Sequence, residues 1–104
     1  MHREKISVCL ATYNGQQYIS KQMDSILKQL SSDDEVIVVD DSSIDNTVQI
    51  LKSYNDPRIK IYINEQNKGH VLSFGKAISL SINEIIIMSD QDDIWVEDRV
   101  SRMA

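Results

Sequence analysis

Cysteine, long apolar runs and excess positive charge are all scarce in this chain of 104 residues. A single cysteine, Cys9, rules out an intrachain disulfide framework. It sits inside an apolar run, where packing rather than reactivity is the expectation. No stretch approaches the roughly 20 apolar residues that span a bilayer. The opening residues MHREK lead straight into a short apolar segment with no secretory core, so a cytoplasmic location is expected. Lys and Arg total 11 against 16 Asp and Glu, a formal net charge of −5. That sign opposes nonspecific nucleic-acid binding, which draws on basic patches. Internal repeats, low-complexity tracts and a domain linker are also missing. The 41% hydrophobic and 26% charged residues that are present suit one small domain around a single core.

Apolar runs alternate with helical patterns along the chain. Residues 6–11 are short, apolar and bounded by polar residues, which predicts a strand. Tyr18, Ile19, Met23, Ile26, Leu27 and Leu30 recur at three- and four-residue spacings, one face of a helix. Residues 36–39 form a β-branched run typical of a strand covered on both faces. Ser43 or Asp45 then caps a second helix that aligns Val48, Leu51 and Tyr54. After the Asp56-Pro57 turn, Ile59, Ile61 and Ile63 alternate with Lys60 and Tyr62, which predicts an edge strand with one wet face. A turn over 67–69, a helix over 71–82, an apolar strand over 85–88 and a new helix from Glu97 complete the pattern.

This βαβαβαβ alternation implies an α/β fold, a Rossmann-like and mostly parallel sheet with helices on both faces and right-handed crossovers. The expected strand order is 3-2-1-4, with the first and fourth strands adjacent at a switch point where ligands bind beyond the carboxyl ends. The fourth strand then lies at an edge, yet it carries four apolar residues and no charge. Sheets normally blunt such edges. Further strands, or a second copy in a homo-oligomer, are expected to cover it.

Polar clusters follow three of the strands: Thr12-Tyr13-Asn14-Gly15, Asp40-Asp41-Ser42-Ser43 and Asp90-Gln91-Asp92-Asp93. In a parallel sheet all three meet at one rim. Five of the eleven Asp residues fall in the last two clusters. Carboxylates crowded as in residues 90–93 repel one another unless a cation shares the site. Oxygen-only donors suit Mg²⁺ or Mn²⁺, which also bind substrate phosphates. For an isolated Asp-X-Asp a solvated turn is the ordinary explanation; three converging loops shift the balance toward a site. Asp41 can accept a hydrogen bond from a nucleobase ring N–H while Tyr13 stacks on its face, although each residue alone is equally well a turn or rim residue. Lys68 and His70 flank Gly69 near the same rim and can approach a diphosphate; ordinary solvated charge is the stronger reading of both. Trp95 reads as packing.

The segments ISVCLATYNG, VIVVDDSSIDNT, NKG and MSDQDDIW together resemble glycosyltransferase family 2, the group with the GT-A nucleotide-binding fold. The resemblance runs from Ile6 to about Arg99 and is closest to bacterial cell-surface polysaccharide enzymes, rhamnosyltransferases among them. It implies that Tyr13 and Asp41 contact the base, that Asp40 supports that loop, that Asp90 and Gln91 lie by the ribose and diphosphate, and that Asp92 coordinates Mn²⁺ or Mg²⁺. It implies transfer of a sugar, with inversion, from a nucleoside diphosphate (a UDP- or dTDP-sugar first) to a saccharide or lipid-linked acceptor hydroxyl. The intact enzyme then works in the cytoplasm or at the cytoplasmic face of the membrane. Two departures stand out. The family's usual Asp-Asp-Gly-Ser is here Asp41-Ser42-Ser43 after Asp40, and Ser tolerates positive φ less well than Gly. Nothing in residues 1–104 matches the family's acceptor site or general base, so no catalytic base is assigned, and this truncated donor-binding portion alone is expected to transfer no sugar.

Other classes fit less well. A phosphoacceptor receiver domain needs its acidic pair after the first strand, where Thr12-Tyr13-Asn14 stands, and its acceptor Asp after the third, where Asn64 stands. A helix–loop–helix calcium site needs a Gly and a distal Glu that Asp90-X-Asp92 lacks. A non-catalytic nucleotide-binding or strand-pairing assembly module remains the alternative.

Overall fold

A computed structural model describes residues 5–89. Its elements are β1 (Ile6–Thr12), α1 (Ile19–Leu27), β2 (Glu35–Asp40), α2 (Thr47–Lys52), β3 (Ile59–Ile63), α3 (His70–Leu80) and β4 (Ile85–Ser89). The four strands form one parallel sheet in the order β3-β2-β1-β4. Register aligns Thr12 with Asp40 and Asp40 with Ile63, so the carboxyl ends of β1, β2 and β3 lie level.

Strand alternation sends side chains to two cores. Val8, Leu10, Val36, Val38 and Ile87 pack with Ile19, Met23 and Ile26 of α1 and Leu51 of α2. On the opposite face Cys9, Ala11, Ile37 and Val39 meet Phe74 and Ala77 of α3. Helices therefore cover both faces, and every residue of β1 and β2 is buried. Cys9 has the packing role expected of it, with its Sγ 3.1 Å from Ser81 Oγ.

Local chemistry moves several boundaries. Beyond Leu27, Gln29 and Leu30 donate to carbonyls three residues back, so α1 ends in a tightened turn that still buries Leu30. Residue 81 turns extended, which ends α3 before Ile82. Neither residue expected to cap α2 holds the cap position, which falls on Asn46: Asp45, one residue earlier, accepts from the Thr47 backbone N–H, and Ser43 donates its hydroxyl to Asp40. β3 is at an edge of the sheet, but its second face is not simply wet. Tyr62 packs against the α3-side core, and Lys60 reaches across to Glu35. Among the described strands β4 pairs only with β1, and its Ile86 and Met88 are 38% and 51% exposed.

At the amino ends of the strands, buried Glu35 ties three elements together. Its Oε2 accepts from Ser7 Oγ (2.5 Å) and the Ile82 N–H (2.8 Å), while Lys60 Nζ lies 2.7 Å from Oε1. Burial pushes the carboxyl pKa up, but Lys60, Ser7 and the Ile82 N–H outweigh it and hold the group below its ordinary value. A depressed folded pKa stabilises the fold above the unfolded value, about 4.3. That contribution fades as pH falls through the folded value. Glu35→Gln is therefore expected to cost about 1–2 kcal/mol at pH 7 in urea unfolding, with a smaller difference from wild type below pH 4.

Candidate nucleotide site

The carboxyl ends of β1 and β2 are joined by side chains before any ligand enters. Asp40 is fully buried; its Oδ1 accepts from Thr12 Oγ1 (2.7 Å) and Ser43 Oγ (2.6 Å), and its Oδ2 from the Ser43 N–H (2.9 Å). The loop after β1 is stitched to the loop after β2. Asn14 N–H donates to Ser43 Oγ, Asn14 Oδ1 accepts from the Ile44 N–H, and Gly15 N–H donates to Thr47 Oγ1. A Cβ on Gly15 would stand 3.1 Å from the Tyr18 ring, so that close approach favours glycine.

Ser42 stands where the family resemblance led us to expect glycine, and its φ is +62°. A left-handed backbone costs a non-glycine residue roughly 1–2 kcal/mol. The hydroxyl supplies a partial offset by donating to the Asn64 carbonyl at 2.5 Å. The substitution therefore keeps the turn and adds a tie to the end of β3.

Asp41 is 4% exposed, and its carboxylate faces the segment between β3 and α3. Oδ1 accepts from the Lys68 N–H (2.7 Å) and Asn64 Nδ2 (2.9 Å); Oδ2 accepts from the Gly69 N–H (2.9 Å). Burial pushes its pKa up, but these donors prevail and keep it below the ordinary carboxylate range. Asp41 is therefore an anion at neutral pH, placed where the dipole of α3 favours one. Gly69 precedes α3 with φ +91°, a geometry suited to glycine.

Tyr13 and Asp41 open into one cavity of about 270 Å³, lined also by Ala11, Thr12, Asn67, Gly69, His70 and Ser73. Ligand pockets commonly measure about 300–1,000 Å³, so this volume suits a base rather than a whole nucleotide sugar. His70 reaches the cavity and meets Phe74 edge-on at 4.6 Å. Lys68 is exposed and contributes its backbone N–H rather than a lining side chain. Asn64 and Ser73, which sequence reasoning did not single out for the site, hold Asp41 from behind. The available signal was Asn64 itself, a polar residue at the carboxyl end of β3.

Asp90, Gln91 and Asp92, expected at the ribose, diphosphate and metal, lie outside the described residues, as do Asp93 and Trp95. Asp90 directly follows Ser89, the last residue of the strand beside β1. Among the described residues no group of three or more His, Cys, Asp or Glu is placed to hold a metal ion. No described helix is long and apolar enough to cross a membrane.

Residues 7–104 match the family model described as Glycosyl transferase family 2. The glucosyltransferase WfgD of Escherichia coli, named for transfer from UDP-Glc to GlcNAc-diphosphoundecaprenol, is 34% identical over 95 residues, covering 91% of this chain and 38% of that enzyme. The dTDP-rhamnosyl transferase RfbG of Shigella flexneri is 36% identical over 98 residues, covering 88% of this chain and 34% of that one. The structure of S. aureus TarS 1-349 in complex with UDP-GlcNAc superposes with a TM-score of 0.87 at 31% identity, over 94% of this chain and 29% of that one. The chain thus spans between 29% and 38% of two of these proteins, and 34% of the third.

Proposed function

This chain belongs to glycosyl transferase family 2, and from that premise we propose that it forms the donor-binding portion of an inverting, metal-assisted glycosyltransferase. The reaction moves a sugar from a nucleoside diphosphate to an acceptor hydroxyl during cell-surface polysaccharide synthesis. One observation carries this reading: Tyr13 and Asp41 share a cavity at the carboxyl ends of adjacent parallel strands. Open α/β sheets bind ligands beyond the carboxyl ends of their strands, and this cavity is at the carboxyl end of β1, next to the switch point.

In this proposal Tyr13 stacks on the base and Asp41 accepts from its ring N–H. A carboxylate has about four acceptor positions. The Lys68 and Gly69 N–H groups and the Asn64 and Ser73 side chains already bind it, so a base N–H would share an oxygen with one of them or displace the Ser73 hydroxyl. Asp40 makes its bonds within the chain and fixes the loops after β1 and β2. UDP- and dTDP-sugars are the favoured donors, since WfgD and RfbG are named for them.

Asp92, with Asp90 and Gln91 at the ribose and diphosphate, would hold Mn²⁺ or Mg²⁺; their oxygen-only donor set fits a hard cation. Bound there, the ion offsets charge developing on the departing diphosphate. The acceptor, a saccharide or lipid-linked sugar, belongs in this proposal to the larger part of the enzyme, working at the cytoplasmic face of the membrane. Residues 1–104 alone then bind donor and transfer no sugar. A strand-pairing role, including a second copy on the β4 edge, is the other reading, favoured by exposed Ile86 and Met88.

Calorimetric titration of UDP, dTDP and GDP, each with and without Mn²⁺, tests the proposal. Saturable binding of at least one nucleotide, tightened by Mn²⁺, is expected. Absence of binding for all three, with a dimer mass in solution, would favour the assembly reading.

A further inference from the structure

The carboxyl end of β3 carries a buried side chain that neither touches the cavity nor packs in either apolar core. Asn64 is 3% exposed. Its Nδ2 donates to Asp41 Oδ1 (2.9 Å) and to Ser73 Oγ (3.1 Å), and its Oδ1 accepts from Lys76 Nζ (3.3 Å). Its backbone is bound as well: the N–H donates to the Asp40 carbonyl (2.8 Å), and the carbonyl accepts from Ser42 Oγ. One carboxamide thus joins the loop after β2 to the first turns of α3.

We propose that Asn64 is a positioning residue for the nucleotide cavity, holding the Asp41 carboxylate against the Lys68 and Gly69 N–H groups so that residues 67–69 form a fixed wall. The inference rests on the donor-binding reading for its effect on affinity, but the wall itself can be measured without ligand. Asp41 alone can rotate toward solvent or toward the turn. The amide of Asn64 occupies one of its oxygens from the protein side, and Ser73 accepts from that amide as well as bonding to the same carboxylate. No other described side chain is shown donating to Asp41 from β3.

Asn64→Asp is a near-isosteric test with a signature that simple loss of packing lacks. Two facing carboxylates repel, so Asp41 swings away at neutral pH. As pH falls the pair takes up one proton at a value raised above that of an isolated carboxyl. The protonated member then donates where the amide did. The charged and titratable groups around this pair are Lys76 and His70 on α3, Lys68 and Glu65 before it, Tyr13 beyond β1, and Asp40, which is turned to Thr12 and Ser43. Each variant is compared with wild type at the same pH.

The experiment pairs amide hydrogen exchange at Lys68 and Gly69, without nucleotide, with UDP titration in Mn²⁺, from pH 5 to 8. At pH 8 Asn64→Asp is expected to lose about tenfold or more in both amide protection and affinity, narrowing toward wild type near pH 5. Asn64→Ala, which removes the amide and adds no charge, is expected to lose roughly three- to tenfold in both, without that pH dependence. It also keeps the proposal testable if Asn64→Asp does not fold. Wild-type protection of Lys68 and Gly69 in folded Asn64→Asp at pH 8, a loss that does not recover in acid, or unchanged protection in Asn64→Ala would overturn it. If wild type binds no nucleotide, the donor-binding reading fails, while the exchange data still decide the role of Asn64.

Discussion

Asp41→Ala is expected to abolish measurable nucleotide binding, a loss of at least about 100-fold, while leaving a folded but weakened domain. The size follows from what the carboxylate holds. Removing it strands the Lys68 and Gly69 N–H groups and the Asn64 amide, all between 2.7 and 2.9 Å from its oxygens. Hydrogen bonds to a charged group contribute about 1.5–3 kcal/mol each, and water entering the cavity replaces part of that. A net destabilisation of about 2–4 kcal/mol in urea unfolding is therefore expected. Asp41→Asn separates the two roles: the amide can keep part of the turn but not the charge at the start of α3. It should recover much of the stability and little of the affinity. Because the Asp41 pKa is depressed in the folded state, its contribution is complete above the unfolded value of about 3.9 and disappears as pH falls through the folded one. The stability gap between wild type and Asp41→Ala should accordingly narrow as pH falls below that unfolded value. Affinity for UDP in Asp41→Ala equal to wild type would remove Asp41 from the site.

Tyr13→Ala makes the complementary case, a large loss of binding with almost none of stability. Tyr13 is 44% exposed at the cavity mouth and belongs to neither apolar core. Stacking of a base on an aromatic ring contributes about 1–3 kcal/mol by alanine substitution, equivalent to roughly 5- to 150-fold in affinity. Unfolding midpoints should stay within about 0.5 kcal/mol of wild type, as for other exposed positions. Tyr13→Phe keeps the ring and should bind almost normally. A Tyr13→Ala variant that binds as wild type would show that the ring faces no base.

The fold was legible because its decisive features repeat along the chain. The continuous apolar run at residues 36–39 requires cover on both faces, and α1, α2 and α3 supply it. The interrupted pattern of β3 marked an edge. Its wet face was misread, since Lys60 and Tyr62 look exposed in sequence but find Glu35 and the α3-side core across the sheet. Helix ends were the least legible. Ser43 and Asp45 are both good caps by residue type, but the cap position falls on Asn46: Ser43 is drawn to Asp40, and Asp45 accepts from the Thr47 N–H from one residue earlier.

The meeting of Tyr13 and Asp41 followed from topology alone, because loops after adjacent parallel strands must share a rim. What Asp41 does with its oxygens did not follow. Its partners lie 23, 27 and 28 residues away, and two of them are backbone N–H groups, which every non-proline residue carries. The left-handed turn at Ser42 was hidden for a similar reason: the compensating bond runs to a carbonyl 22 residues ahead.

The most direct test of the donor-binding claim is to add UDP in Mg²⁺ buffer to the ¹⁵N-labelled chain and follow each backbone amide. The expected result is saturable shifts concentrated at Thr12, Tyr13, Asp41, Gly69 and His70, with the amino-end cluster around Glu35 unmoved. Shifts centred on β4 and the far end of the sheet, or no saturable shift at all, would contradict it.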